Sequence, residues 1–215
     1  MRNGIYLSID IDFWEEAETA EKAITNILDN LPKKTPLIAV MNHQQLLKAV
    51  NSSKANTLIN IDTHSDFAGK AVTELNCGTW VAYVNWREEG KYIWYRSEVA
   101  YDRGRCDWAG DTWNDNSDWK SSKTAYRGQE YDFSKHLDLK NVVSVGICLS
   151  PDYNMDRFLA YEGPITTFED VFKGLVKKYD IPYLKGRRNE DLGVYKIPSG
   201  LNMSYSERME ERKAA

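Results

Sequence analysis

The sequence predicts an α/β fold with a mainly parallel sheet, because short apolar strands alternate with amphipathic helices along the chain. Three of the predicted strands are followed directly by acidic residues or histidine, as ligand-binding strand ends in such folds often are. The chain has 215 residues, a length that one α/β domain can occupy, and no Pro/Ser-rich linker divides it. We therefore expect a single domain that covers residues 1–215.

The elements follow from the spacing of the apolar residues. A first strand is predicted at residues 5–11, where isoleucine and leucine alternate on one face. Residues 15–31 carry an apolar stripe at helical spacing, and Pro32 ends this helix. Short helices are predicted at residues 44–50 and from Thr79 onward. The remaining predicted strands are residues 37–41, 57–61, 91–96 and 142–149.

A Trp-rich excursion at about residues 100–130 interrupts this alternation and shows neither a helical nor a strand period. Six of the 7 tryptophans lie between Trp80 and Trp119. The excursion either packs its aromatic residues back onto the domain or forms a lid over a binding site. The C-terminal residues 206–215 are expected to form a solvated helix or a frayed, mobile tail.

The composition argues against several classes of protein. The net charge of -4 argues against a nucleic-acid-binding surface and is compatible with a cationic substrate. No apolar run approaches the roughly 20 residues of a membrane span, and the acidic start of the chain does not resemble a signal peptide. The 3 cysteines are widely spaced and odd in number, which fits a reducing cytosol better than a disulfide scaffold. We therefore expect a cytoplasmic protein with no membrane or nucleic-acid partner.

Ligand-type side chains follow three of the predicted strands. They are Asp10, Asp12, His43, Asp62, His64 and Asp66. Residues two apart on an extended chain face the same way, so the members of each cluster can converge. The clusters themselves meet because the carboxyl ends of parallel strands share one sheet edge.

Such an edge requires cations. Four carboxylates packed together repel one another unless something positive lies among them. Two divalent ions that share bridging carboxylates would supply that charge, so we expect about two ions per chain. The predicted donors are rich in oxygen and include no thiolate, which suits manganese better than structural zinc and leaves zinc, iron and cobalt open.

These motifs resemble those of the arginase-like metallohydrolases, or ureohydrolases. The GGDHS-type, DxHxD and SxDxD segments of that family are matched here by AVMNHQQ, INIDTHSDF and LSIDIDFW. The SxDxD-like segment comes first rather than last, so the chain resembles a circularly permuted relative. It is most similar to the small peptide arginases, which convert arginine residues of ribosomally made peptides to ornithine. The resemblance covers residues 1–90 and part of residues 141–165.

The resemblance implies a three-layer arginase-like fold with permuted strand order. It also implies that a water between two manganese ions attacks the guanidinium carbon and that Asp66 orients this water. The implied ligands of one ion are Asp10, His43, Asp62 and Asp66. The implied ligands of the other are Asp10, Asp12, Asp62 and His64.

The chain also departs from the family. Ordinary arginases carry a histidine before a glycine after the DxHxD strand, and this chain has Cys77 there. Cys77 is then either a small packing residue or, as we expect, part of the wall of the active site. A guanidinium needs an opposing carboxylate, for which we expect Asp152 rather than Glu162. The other interpretation of Asp152 is a turn-forming residue after a proline.

The expected substrate is an arginine residue within a precursor peptide. The loops that hold the α-amino and α-carboxyl groups of free arginine are not evident, and an aromatic excursion suits an extended peptide. The alternatives are a dinuclear metal phosphoesterase and a non-catalytic, metal-stabilised peptide-binding module. The oligomeric state stays open, and a homo-oligomer is compatible with the sequence.

Overall fold

The computed structural model describes part of the chain. The described residues are 4–14, 16–62, 64, 66, 75–85, 90–96, 123–127, 137–150 and 167–184. The predicted guanidinium carboxylates Asp152 and Glu162 lie outside them, as do the tail at residues 206–215 and most of the Trp-rich excursion.

A sheet of seven strands, all paired in parallel, forms the centre of the described residues. The strands are β1 (Ile5–Asp10), β2 (Leu37–Val40), β3 (Thr57–Asp62), β4 (Lys91–Arg96), β5 (Lys123–Arg127), β6 (Val142–Cys148) and β7 (Tyr183–Leu184). Their spatial order is β5-β4-β3-β1-β6-β2-β7. The predicted α/β class with a parallel sheet is therefore confirmed, and β1 lies between β3 and β6.

The described part of the chain contains three α-helices beside the sheet: α1 (Ala17–Asp29), α2 (Leu47–Ser52) and α3 (Phe168–Lys178). Short 3-10 helices are found at Ile11–Phe13, His43–Leu46, Trp80–Tyr83 and Leu139–Asn141. The apolar stripe predicted α1. Helix α3 was not predicted, although Thr167 and Asp170 form a capping box at its start. Within the described part of the chain, no helix combines the length and apolarity needed to cross a bilayer.

Two of the predictions are wrong in detail. The helix expected at residues 44–50 is divided, because its first turn is the 3-10 helix His43–Leu46 and only α2 is α-helical. The Trp-rich excursion was expected to lack regular structure, yet it contains β5. Strand β5 pairs only with β4, at the edge of the sheet. An edge strand can form on backbone hydrogen bonds to one neighbour, so it need not show the apolar alternation of a central strand.

The apolar core is divided between the two faces of the sheet. On one face, Leu7 and Ile9 of β1 pack with residues of α1 and α3. On the other face, Tyr6 of β1 packs with Leu46 and with Val50 of α2. Because strand side chains alternate, Ser8 and Asp10 point to the same face as Tyr6. The polar ends of the strands are therefore directed to the α2 face.

Gly146 lets the His43–Leu46 helix lie close to the sheet. A Cβ atom at this position of β6 would lie 2.5 and 2.8 Å from the two terminal methyl carbons of Leu46 and 2.8 Å from Tyr6 Oη. These separations are shorter than van der Waals contact, so a larger residue would push the helix outward. The absence of a side chain at Gly146 thus helps to fix the position of His43.

Candidate metal centre

The candidate centre lies where four neighbouring strands end. Asp10, Asp62 and Cys148 are the last residues of β1, β3 and β6, and His43 begins the helix that follows β2. The register pairs Asp10 directly with Cys148 across β1 and β6. All four side chains are buried. The sequence predicted that Asp10, His43 and Asp62 would meet at one edge of the sheet, and the structure places them at that edge.

His43 is central to the cluster. Its Nδ1 atom lies 2.7 Å from Asp66 Oδ2, 3.1 Å from Asp62 Oδ2 and 3.4 Å from Asp10 Oδ2. Its other ring nitrogen, Nε2, lies 3.0 Å from the Ser8 hydroxyl oxygen. The Ser8 contact fixes the orientation of the ring and directs Nδ1 toward the carboxylates, as the outer partners of metal-binding histidines do.

The 3-10 helix Trp80–Tyr83 holds Asp66. The indole N–H of Trp80 donates a hydrogen bond to Asp66 Oδ2 at 2.6 Å, and the Val81 N–H donates to the Asp66 carbonyl at 3.2 Å. The backbone of Asp66 is in the left-handed region, with φ of 50°. Trp80 is fully buried, and its ring centroid lies 5.4 Å from that of His43. The helix thus secures a carboxylate in a conformation that aspartate adopts less readily than glycine.

Asp62 is held by three hydrogen bonds. Its Oδ2 atom accepts one from Asn60 Nδ2 at 3.1 Å, and its Oδ1 atom accepts one from the His64 N–H at 2.8 Å. The indole N–H of Trp94 donates to the Asp62 carbonyl at 2.9 Å. These donors come from β3, from the chain after it and from β4. Two of them hold the carboxylate, and the third holds the backbone of Asp62.

Asp10 is held by a residue that the sequence reasoning missed. The Ser150 hydroxyl donates to Asp10 Oδ2 at 2.5 Å, and the Asp12 N–H approaches Asp10 Oδ1 at 3.5 Å. The Ser150 N–H donates to the Met41 carbonyl at 3.0 Å, which ties this residue to the chain after β2. Cys148 was missed as well. The local signal was only that Cys148 and Ser150 stand two apart at a strand end, which does not show that they meet Asp10.

Among the residues that the structure describes, three buried groups each bring three ligand atoms within 4.8 Å of one another. The groups are Asp10, Asp12 and Asp62; His43, Asp62 and Asp66; and Asp10, His43 and Cys148. Five of the six predicted ligands therefore belong to these groups. The sixth, His64, is adjacent: its Nδ1 lies 4.0 Å from Asp62 Oδ1, and its side chain is 26% exposed. Cys77 is half-buried and belongs to none of the three groups.

The buried carboxylates of the cluster repel one another, and this repulsion is reflected in the pKa values of its residues. Burial, reinforced by Asp12, raises the pKa of Asp10 well above its usual range. Burial and the neighbouring Asp66 raise the pKa of Asp62 from 3.8 to about 6. Burial lowers the pKa of His43, but the negative groups around it outweigh burial and raise that pKa well above 6.5. The buried carboxylate, imidazole and thiol donors of these clusters could hold a metal ion.

Comparison with known proteins does not assign the chain to a family. No family model, curated protein or solved structure matches the chain.

Metal-free protein is expected to lose stability as the pH rises from about 4 to 7. Asp10 and Asp62 have pKa values raised from 3.8, so the folded state binds more protons than the unfolded state in this range, and His43 adds to the loss only above pH 6.5. Their stabilisation is complete at low pH and is lost as the pH passes their folded pKa values. Asp62 alone, shifting from 3.8 to about 6, accounts for a difference on the order of 3 kcal/mol. Denaturant unfolding of chelated protein across this pH range measures the slope.

The matched variant for this measurement is Asp62→Asn, which removes one titrating group. Its free energy of unfolding should fall less steeply between pH 4 and 7 than that of the wild type. Excess Mn²⁺ should restore the stability of the wild type near pH 7, because the bound cation offsets the repulsion. Equal slopes for the two proteins would contradict the shift assigned to Asp62.

Ser150→Ala is expected to weaken metal binding about 10- to 100-fold, the usual effect of removing a group that orients a ligand. The hydroxyl of Ser150 fixes the Asp10 carboxylate, and its loss leaves that carboxylate free to rotate. Calorimetric titration with Mn²⁺ measures the change. Ser144→Ala is the control, because the Ser144 hydroxyl, also on β6, contacts the Pro36 carbonyl away from the cluster. Equal affinities in the two variants would rule out the positioning role.

Proposed function

We propose that this protein is a metal-dependent hydrolase that converts arginine residues of a peptide into ornithine residues and urea. The observation that carries the proposal is the gathering of Asp10, Asp62 and Asp66 around His43 at the ends of parallel strands, with Asp12 grouped beside Asp10 and Asp62. These residues stand in the segments that resemble the arginase-like family. In this proposal the domain has a three-layer, arginase-like fold in which the order of the strands is permuted.

Two overlapping groups would hold the ions. Asp10, Asp12 and Asp62 would bind one divalent ion, with His64 as an added ligand; His43, Asp62 and Asp66 would bind the other. The resemblance favours manganese, and the oxygen-rich first group suits it. When bound, the ions would lower the pKa of water toward neutrality and so supply a nucleophile.

The protein side chains would orient the reactants. The carboxylate of Asp66 accepts a hydrogen bond from the attacking water, and the Trp80 indole N–H keeps that carboxylate from rotating. The buried rings of Trp80 and Trp94 exclude bulk water from the floor of the site. Asp152 would pair with the guanidinium, and Cys77 would line the wall beside it; Asp152 lies outside the described residues.

The deciding experiment supplies the protein with Mn²⁺ and an arginine-containing peptide and measures urea. We expect urea to form while the peptide loses one CH2N2 unit per converted arginine. The control peptide carries lysine in place of arginine and should remain unchanged. Metal-dependent peptide binding without urea would replace the proposal with a binding module. Release of phosphate from a phosphoester, without urea, would replace it with a phosphoesterase.

A further inference from the structure

Cys148 lies inside the candidate metal centre, although the resemblance assigns it no role. It is the last residue of β6, is fully buried, and is in register with Asp10 of β1. Its sulfur atom, one carboxylate oxygen of Asp10 and one ring nitrogen of His43 all lie within 4.8 Å of one another. Three different donor types thus converge on one buried point.

The sulfur atom also has polar surroundings. Cys148 Sγ lies 3.2 Å from the Ser150 hydroxyl oxygen and 3.5 Å from the Met41 carbonyl oxygen. The same Ser150 hydroxyl donates to Asp10 Oδ2, so the thiol and the carboxylate share one hydrogen-bonding partner. The thiol is therefore held beside Asp10 by the same hydroxyl that orients the carboxylate.

From this arrangement we infer that Asp10, His43 and Cys148 form a thiolate-containing ion site that binds Zn²⁺ or Co²⁺ in preference to Mn²⁺. A thiolate, an imidazole and a carboxylate are a common donor set for zinc, whereas Mn²⁺ prefers oxygen ligands. The thiol gives up its proton to solvent when the ion binds, as cysteine ligands must. The inference concerns metal binding alone and stands whether or not the protein hydrolyses guanidino groups.

The site has a consequence for the neighbouring groups. Asp10 also belongs to the group with Asp12 and Asp62, and His43 belongs to the group with Asp62 and Asp66. An ion bound at Cys148 would take one ligand from each of those groups. Zn²⁺ and a pair of Mn²⁺ ions should therefore compete for the same protein.

Cobalt titration of the full-length, chelated protein tests the inference directly. A bond between thiolate sulfur and Co²⁺ produces an intense near-ultraviolet charge-transfer band that oxygen and nitrogen ligands do not produce. We expect this band in the wild type and its loss in Cys148→Ser. The control is Cys77→Ser, the same substitution at a half-buried cysteine outside the three groups, which should keep the band.

Metal affinities give a second readout. Cys148→Ser should weaken Zn²⁺ binding by at least about 100-fold, since losing a direct ligand costs no less than losing its outer partner. Mn²⁺ binding by the same variant should change less than about 3-fold, because the all-oxygen group is intact. Equal losses for the two metals would overturn the inference, and so would a wild-type cobalt spectrum without the charge-transfer band.

A measurement on the wild type covers the case in which Cys148→Ser does not fold. In cadmium NMR, a thiolate ligand moves the metal resonance far downfield of the position for oxygen and nitrogen ligands alone. We expect the downfield resonance in the wild type and in Cys77→Ser. A resonance in the oxygen and nitrogen range would overturn the inference.

Discussion

Asp62→Asn is expected to abolish urea formation and to remove most of the bound metal. Asp62 belongs to two of the three ligand groups, and its Oδ2 atom lies 3.1 Å from His43 Nδ1. The amide of asparagine is neutral and a weaker metal ligand, so the variant weakens both groups at once. We expect kcat/KM to fall roughly 10³-fold or more, equivalent to about 4 kcal/mol. Urea assays and elemental metal analysis of the same preparation measure the two losses.

Asp138→Asn is the matched control. Asp138 is exposed and caps the 3-10 helix Leu139–Asn141 by accepting a hydrogen bond from the Lys140 N–H. Asparagine caps helices about as well as aspartate, so this variant should keep both its metal and its activity. Asp10→Asn should behave like Asp62→Asn, since Asp10 also belongs to two groups. An active Asp62→Asn protein with its full metal content would refute the assigned ligand role.

Asp152→Asn is expected to keep the metal and to lose most of kcat/KM on an arginine-containing peptide. The guanidinium must leave water to reach the site, and an unpaired buried cation costs several kcal/mol. A carboxylate that pairs with it should therefore contribute on the order of 2–4 kcal/mol to transition-state stabilisation. Asp152 is a candidate because Ser150, two residues earlier in the chain, donates a hydrogen bond to Asp10 of the candidate metal centre. Ornithine formation, followed by mass spectrometry, measures the loss.

Glu162→Gln is the comparison variant, because Glu162 is the alternative carboxylate. It should reduce kcat/KM much less than Asp152→Asn does. The reverse ranking would transfer the recognition role to Glu162. If neither variant loses activity, the carboxylate belongs to the excursion at residues 100–130, and the proposed match between the end of β6 and the arginase pattern is wrong.

The sequence was informative about the strands and about most of the ligand set. Alternating isoleucine and leucine predicted β1, and the polar residues that follow it and β3 identified Asp10 and Asp62. The two-residue spacing then grouped Asp12 and Asp66 with them on the expectation of extended chain. The grouping is right, but Asp12 lies in the 3-10 helix Ile11–Phe13 and Asp66 has a left-handed backbone. Local patterns were sufficient for Asp10 and Asp62, because each is the last residue of its strand.

The contacts made between distant segments could not be predicted in the same way. Ser150 reaches Asp10 only because β6 pairs with β1, and a local pattern does not reveal the order of strands in a sheet. The donor set was expected to include no thiolate, and Cys148 was missed for the same reason. Asp66 was grouped correctly, but its left-handed backbone and its bond to Trp80 depend on tertiary packing.

The pairing of β1 with β6 also affects how the protein is made. Ser150 follows Asp10 by 140 residues, so a ribosome translating about 5–20 residues per second needs roughly 7–28 s to synthesise the interval. Throughout that time the side of β1 that β6 will cover has unpaired backbone N–H and C=O groups. Such an edge can pair with other chains, so the nascent protein is most vulnerable to aggregation before β6 emerges. The group of Asp10, His43 and Cys148 cannot form until then, because Cys148 belongs to β6.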